Sequence, residues 1–144
     1  MTYNVRPFES ADRAAVILLW LEAFPDSAGY NEPSVSIDRK CDFGDGLFFV
    51  VELHRQLVGT VMAGYDGHRG WIYSLAVLAA HRRKGIGTAL VRHAEQQLGR
   101  LGCPKVNLQV RAENASVVAF YESLGFVVER RISLGKPLNP RLSE

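Results

Sequence analysis

The sequence predicts a mixed β-sheet with helices on its faces, in the order β-α-α-β-β-β-α-β-α-β. Three patterns carry that prediction. Residues 105–110 alternate cleanly, with Val106, Leu108 and Val110 apolar, as a strand with one face in a core does. Residues 47–52 and 57–65 are apolar runs on either side of His54-Arg55-Gln56, which reads as a hairpin. Ile86, Leu90, Ala94, Leu98 and Leu101 recur at helical spacing.

Taken in order, Tyr3-Asn4-Val5-Arg6-Pro7 reads as a short first strand. Ser10 is placed to cap a helix, with Asp12 in its first turn and Ala14, Ile17, Leu18 and Leu21 as the buried stripe. That helix ends near Phe24-Pro25, and a polar loop follows to Glu32. Pro33 is suited to start a second short helix through about residue 43, with Val35, Ile37 and Cys41 partly buried. After the hairpin, Asp66-Gly67-His68-Arg69-Gly70 is a turn-rich connection into an apolar strand over 71–77. Gly102 is a natural C-terminal cap for the long helix, and Pro104 prevents its continuation. Asn114 reads as the cap of a last helix with Val117, Phe120, Tyr121 and Leu124 on one face, closed by Gly125. Residues 126–138 form a final β segment, one strand or two, so the expected sheet has six or seven strands. Without an internal repeat, low-complexity tract or linker, a single domain over 1–144 is expected.

A chain of 144 residues can bury a core without disulfides or metals. Cys41 and Cys103 lack metal or redox spacing, and His54, His68, His81 and His93 form no ligand pattern, so no metal and reduced thiols in a cytoplasm are expected. No apolar run approaches the roughly 18 residues of a membrane span, and the first residues do not read as a signal peptide. A net charge of +2 permits an anionic small molecule but is too small to argue for nucleic acid.

The chemistry concentrates where the 71–77 strand hands over to the long helix. There Arg82, Arg83, Lys84, Gly85, Ile86, Gly87 and Thr88 put three cations and two glycines at a helix N-terminus. Unpaired N–H groups, a partial positive charge and close backbone approach make such a junction a phosphate cradle. A solvated basic turn also fits the cations alone. Neither Gly-x-Gly-x-x-Gly nor Gly-x4-Gly-Lys-Ser/Thr occurs, so the dinucleotide and P-loop cradles are excluded.

Arg82-x-x-Gly85-x-Gly87 resembles the acetyl-CoA pyrophosphate loop of the GNAT N-acetyltransferase superfamily. One strand later, Asn114-Ala-Ser-Val-Val-Ala-Phe-Tyr121-Glu-Ser-Leu-Gly-Phe126 resembles the second signature of that superfamily. Together with the element order, the likeness covers residues 3–138. Within the superfamily, residues 64–70, Gly102-Cys-Pro-Lys105 and Leu134-Gly-Lys136 are most similar to small single-domain bacterial enzymes of the YpeA type.

The resemblance implies a mostly antiparallel sheet flanked by four helices, and acetyl-CoA as co-substrate. It implies that pantetheine pairs with Leu75, Ala76 and Val77 in a gap beside the 105–110 strand. The pyrophosphate would rest on N–H groups from Arg83 to Thr88, with Arg82, Arg83 or Lys84 adding charge. A primary amine would attack the thioester directly, and Tyr121 would protonate the departing thiolate. From the residues alone, a packed core tyrosine fits Tyr121 better, and capping explains Asn114 as well as a bond to pantetheine does. The resemblance is also incomplete. Ala79 replaces a common proline, and Trp71, Tyr73 and Gln109 stand where relatives carry a base. Asp66, His68 and Glu113 are then candidates by chain position only.

The implied partner is a small-molecule or peptide amine, chosen by residues 24–32, the 33–43 helix and the last β segment. No nucleic acid or membrane partner is expected, and a homodimer is left open. A non-catalytic acyl-CoA-binding module is the alternative reading that the missing base favours.

Overall fold

The structure, a computed structural model, describes residues 2–139. Its elements run β1 (Val5–Pro7), α1 (Arg13–Ala23), α2 (Pro33–Phe43), β2 (Phe48–Leu53), β3 (Gln56–Tyr65), β4 (Gly70–Val77), α3 (Ile86–Arg100), β5 (Val106–Leu108) and α4 (Ala115–Ser123). The five strands lie in the order β1-β2-β3-β4-β5. The first four are antiparallel, and β5 runs parallel to β4. The expected mixed sheet with helices on its faces is therefore present.

Strand alternation divides β2 between two cores. Phe49 and Val51 face α3, where they meet Ile86, Leu90, Val91, Ala94 and Leu98. Phe48 and Val50 face α1 and α2, against Val16, Leu19, Trp20 and Ile37. A sheet covered on both sides needs near-continuous apolar strands, which is why 47–51 and 57–63 show so little polar interruption. Gly59 sets how closely α3 can lie: a Cβ there would come within 2.9 Å of Leu90 Cδ1. Ile86 Cγ2, in the first turn of α3, would lie 3.0 Å from the same Cβ.

Several expectations about the helices change: in α2, Val35 and Cys41 are exposed while Ile37 is buried. In α1 the buried residues are Val16, Leu19 and Trp20, while Leu18 and Leu21 are exposed. The run Ala14–Leu21 is apolar on every side, so two stripes fit helical spacing and tertiary contact selects one. Ser10 does not cap α1 directly. It begins a 3-10 turn, Ser10–Asp12, in which Asp12 Oδ2 accepts the Glu9 N–H at 2.8 Å. Arg6 donates two bonds to that carboxylate, at 2.8 and 2.9 Å, joining β1 to the start of α1. The Arg6 guanidinium holds the Asp12 carboxyl below its ordinary range.

The last β segment is not a strand. Among the described residues the sheet has five strands rather than six or seven, and 127–139 runs without strand pairing. Side chains tie this arm to the β5 region: Glu129 to Lys105 and Asn107, and Ser133 to Gln109. Val127, Ile132 and Leu134 are 79%, 88% and 91% exposed, so no layer covers an apolar face of the arm. An alternating sequence without a covering layer has little reason to settle into a ladder. No helix among the described residues is long and apolar enough to cross a membrane.

Candidate active site

The site begins where two strands part. β4 pairs with β5 only from Gly70 to Ile72. Just beyond, Ser74 takes a left-handed backbone, φ +53°, and the β3–β4 register shifts between Thr60 and Met62. One extra residue in β4 makes a bulge there. A non-glycine residue held left-handed costs about 1–2 kcal/mol, so its surroundings must enforce it. Past the bulge the Leu78 N–H donates to Val58 O at 2.9 Å. Since ladder direction alternates, Leu75 and Val77 turn their backbone groups the other way, into the gap.

The gap opens into a cavity of about 880 Å³ lined by Leu75, Ala76 and Val77. At one end the chain leaves β4 through a 3-10 turn, Ala79–His81, and bends at Arg83 (φ +62°) and Gly85 (φ +87°) into α3. The first N–H groups of α3, on Ile86, Gly87 and Thr88, have no acceptor within their own helix. Those residues, with Arg82, Arg83 and Gly85, line the cavity. Arg82 Nε donates to Val77 O at 3.2 Å, holding the basic turn against the strand it follows. Lys84 does not line the cavity. Its carbonyl accepts the Tyr3 hydroxyl at 2.6 Å, which anchors the turn from the opposite side. Gly87 also has a packing role, because a Cβ there would sit 3.3 Å from Phe120 Cζ.

Tyr121 stands on the α4 wall of the same cavity, 7% exposed, with Phe120 and Phe126 edge-on to its ring at 5.1 and 5.4 Å. Burial pushes its phenol up to about 12. Asn114 also lines the cavity, and its side chain does not cap α4. The Asn114 carbonyl instead accepts the Val117 and Val118 N–H groups. The amide side chain is thus free of the capping role that sequence alone offered it.

The side chains at the positions lacking a base meet the following neighbours. Gln109 donates to Ser133 Oγ at 2.5 Å, and Trp71 Nε1 donates to Asp66 Oδ2 at 3.3 Å. Lys40 Nζ lies 5.3 Å from the Tyr73 ring centre. Asp66 Oδ1 also accepts the N–H groups of Arg69 and His68, so the carboxylate organises the turn before β4. Those backbone donors hold it below the usual carboxylate range, which makes it a weaker base. Of the three acid–base candidates only Glu113 lines the cavity, where His81 and Asp26 join it. His81 sits one residue before Arg82, yet nothing in a lone histidine separates a cleft position from an exposed turn. Among the described residues no group of three or more His, Cys, Asp or Glu side chains could hold a metal ion.

A parted strand pair, an open helix N-terminus and a buried phenol thus lie along one cavity of this α/β domain. The sequence pattern described as the Acetyltransferase (GNAT) family matches residues 14–126, and the chain belongs to that family. A Yersinia pestis protein named acetyltransferase is 41% identical over 135 residues, covering 94% of this chain and 95% of its own. In fold, a Bacillus halodurans protein described as a transcriptional regulator has a TM-score of 0.79 at 20% identity, covering 95% of this chain and all of its own. AAC(6')-Iy, solved with the bisubstrate analogue CoA-S-monomethyl-acetylneamine, has a TM-score of 0.78 at 15% identity, covering 95% and 99%.

Proposed function

We propose that the protein moves an acetyl group from acetyl-CoA to a primary amine by direct attack within a ternary complex. The observation that carries this reading is a single cavity joining an anion-ready helix N-terminus to a buried phenol past strand backbone that faces away from β3. Acetyl-CoA, when bound, supplies an acetyl group activated as a thioester. The N–H groups of Ile86, Gly87 and Thr88, with the charges of Arg82 and Arg83, suit its pyrophosphate. Leu75 offers a backbone donor and acceptor and Val77 a backbone donor for the pantetheine amides, in the manner of an added strand, and Asn114 adds a side-chain amide. A backbone N–H in 75–77 then stabilises the negative charge that develops on the attacked carbonyl oxygen.

Tyr121 keeps its proton at neutral pH. A phenol raised to about 12 faces a thiol with a reference value of ~8.5, so complete transfer is uphill by about 5 kcal/mol. Its hydroxyl therefore serves first as a hydrogen-bond donor to sulfur as charge builds there. The acceptor amine approaches past Phe24, Pro25, Asp26 and Ser27 at the end of α1, which form the remaining wall. It is a small-molecule or peptide amine, and the name of the structural neighbour AAC(6')-Iy, an aminoglycoside N-acetyltransferase, places aminoglycosides among those to try.

Calorimetry with CoA, followed by release of free CoA thiol from acetyl-CoA, tests the proposal. The acceptor panel comprises amino acids, polyamines, aminoglycosides and peptide N-termini. CoA binding with turnover on at least one amine is expected. Binding without turnover across the panel would instead assign an acyl-CoA-binding module, the reading that the absent base at Trp71, Tyr73 and Gln109 favours. No binding at all would sink both.

A further inference from the structure

The left-handed residue that opens the cleft is held by a buried side-chain relay from α1. Trp20, 2% exposed, donates through Nε1 to Thr60 Oγ1 at 2.8 Å, and the Thr60 hydroxyl donates to the Ser74 carbonyl at 3.1 Å. Thr60 is fully buried on β3, in the stretch where that strand and β4 fall out of register. The Trp20 ring is fixed in turn, stacked on Phe48 at 5.9 Å and meeting Phe24 edge-on at 6.2 Å. Two residues along the same helix, Glu22 Oε1 accepts the Ala79 N–H at 3.1 Å. The end of α1 thus grips β4 both before and after Leu75–Val77, the segment whose backbone faces the cavity.

We infer that Thr60, oriented by Trp20, is a positioning residue that holds the Ser74 carbonyl in its left-handed setting and so keeps the β4 edge open for an acyl-CoA. The chemistry requires this arrangement. A threonine hydroxyl can accept from the indole and donate onward at once, so it transmits the position of Trp20 to a backbone carbonyl. Valine has the same shape and can do neither. Glycine adopts positive φ without the steric cost that serine carries, so at position 74 it would need the relay less. The inference rests on the acetyl-CoA reading above for the identity of the ligand.

The test compares Thr60→Ser, Thr60→Val and Trp20→Phe by calorimetry with CoA, repeating the valine change in a Ser74→Gly background. Amide exchange of the ligand-free proteins is followed at 74–78. Expected is a loss of CoA affinity of about tenfold for Thr60→Val, and of less than about threefold for Thr60→Ser. In the Ser74→Gly background the valine change should cost less than about threefold. Exchange at 74–78 should quicken in Thr60→Val and Trp20→Phe while the protection of α3 is kept. Equal affinities for wild type and Thr60→Val would overturn the inference, as would an undiminished loss in the glycine background. If Thr60→Val does not fold, Trp20→Phe decides by the same two readouts. Should the wild-type protein not bind CoA, the acetyl-CoA reading fails, and unchanged exchange at 74–78 would then separately dispose of the relay.

Discussion

Tyr121 reaches the cavity from the last full turn of α4, its ring held by Phe120 and Phe126. Replacement by phenylalanine preserves that packing and removes only the hydroxyl. The rate constant for acetyl transfer should then fall by about 10²-fold while CoA affinity barely moves. Parallel losses in folding stability and activity would make Tyr121 a core residue and nothing more. The phenol also makes a statement about pH. Because burial raises it to about 12, ionisation of Tyr121 cannot produce a falling limb in rate below about pH 11. The linked effect on stability has a definite sign. The raised folded value leaves its contribution whole below the unfolded reference of ~10, and that contribution is lost as pH climbs to about 12. A pH–rate profile that turns down near pH 9–10 in wild type but not in Tyr121→Phe would contradict this picture.

At the scale of the element, the first turn of α3 combines packing with the anion recognition proposed for it. Ile86 and Leu90 press on Gly59 of β3, and Gly87 lies beneath Phe120 of α4. A substitution at Gly87 therefore mixes two effects, and the pair Gly87→Ala and Gly87→Asp separates them. Alanine adds the methyl that would crowd Phe120, and aspartate adds a charge as well. If the N-terminus of α3 receives the pyrophosphate, Gly87→Asp should weaken CoA binding at least tenfold, about 1.4 kcal/mol, while alanine stays within about threefold. Calorimetry on both variants, with folding confirmed by circular dichroism, would locate the phosphates elsewhere if the two behaved alike. Tyr3 contributes to this element from a distance in sequence, since its hydroxyl on Lys84 O restrains the turn that leads into the helix.

Across the whole molecule, burial is uneven. The sheet from β1 to β4 is covered by α3 on one face and by α1 and α2 on the other, whereas the arm beyond α4 leaves its large apolar side chains in solvent. Ile132→Ser and Leu134→Ser should each change the unfolding free energy by no more than about 0.5 kcal/mol, the range of an uncoupled surface site. Buried strand residues would cost about 2–5 kcal/mol for a comparable truncation. Denaturant titration distinguishes the two. A large loss would mean that the arm docks as a strand in solution, and a loss that depends on protein concentration would mean that a second copy covers it.

Much of this was legible in the sequence because it is decided over a few neighbouring residues. The stripe of α3 as far as Leu98, though not the exposed Leu101, the stops at Gly102 and Gly125, the alternation at 106–108 and the basic turn before a helix all follow from local backbone geometry and side-chain periodicity. The helix end proposed to receive phosphate belongs to that group, since an open helix N-terminus lies beside whatever precedes it in the chain. What lies between distant residues had to wait for the fold. Which apolar stripe of α1 turns inward depends on the shape of the sheet it meets. The arm at 127–138 has strand-like residues, yet a strand also needs a covering layer, and no layer is encoded within the arm itself. The kink at Ser74 is the clearest case. Serine carries no local signal for a left-handed backbone, and the groups that hold it, Thr60 and Trp20, lie 14 and 40 residues apart along the chain from their respective partners. Local physics thus determined the elements and the helix end that suits an anion. The opening of β4 away from β5 was decided only in three dimensions, because it rests on hydrogen bonds that close long loops.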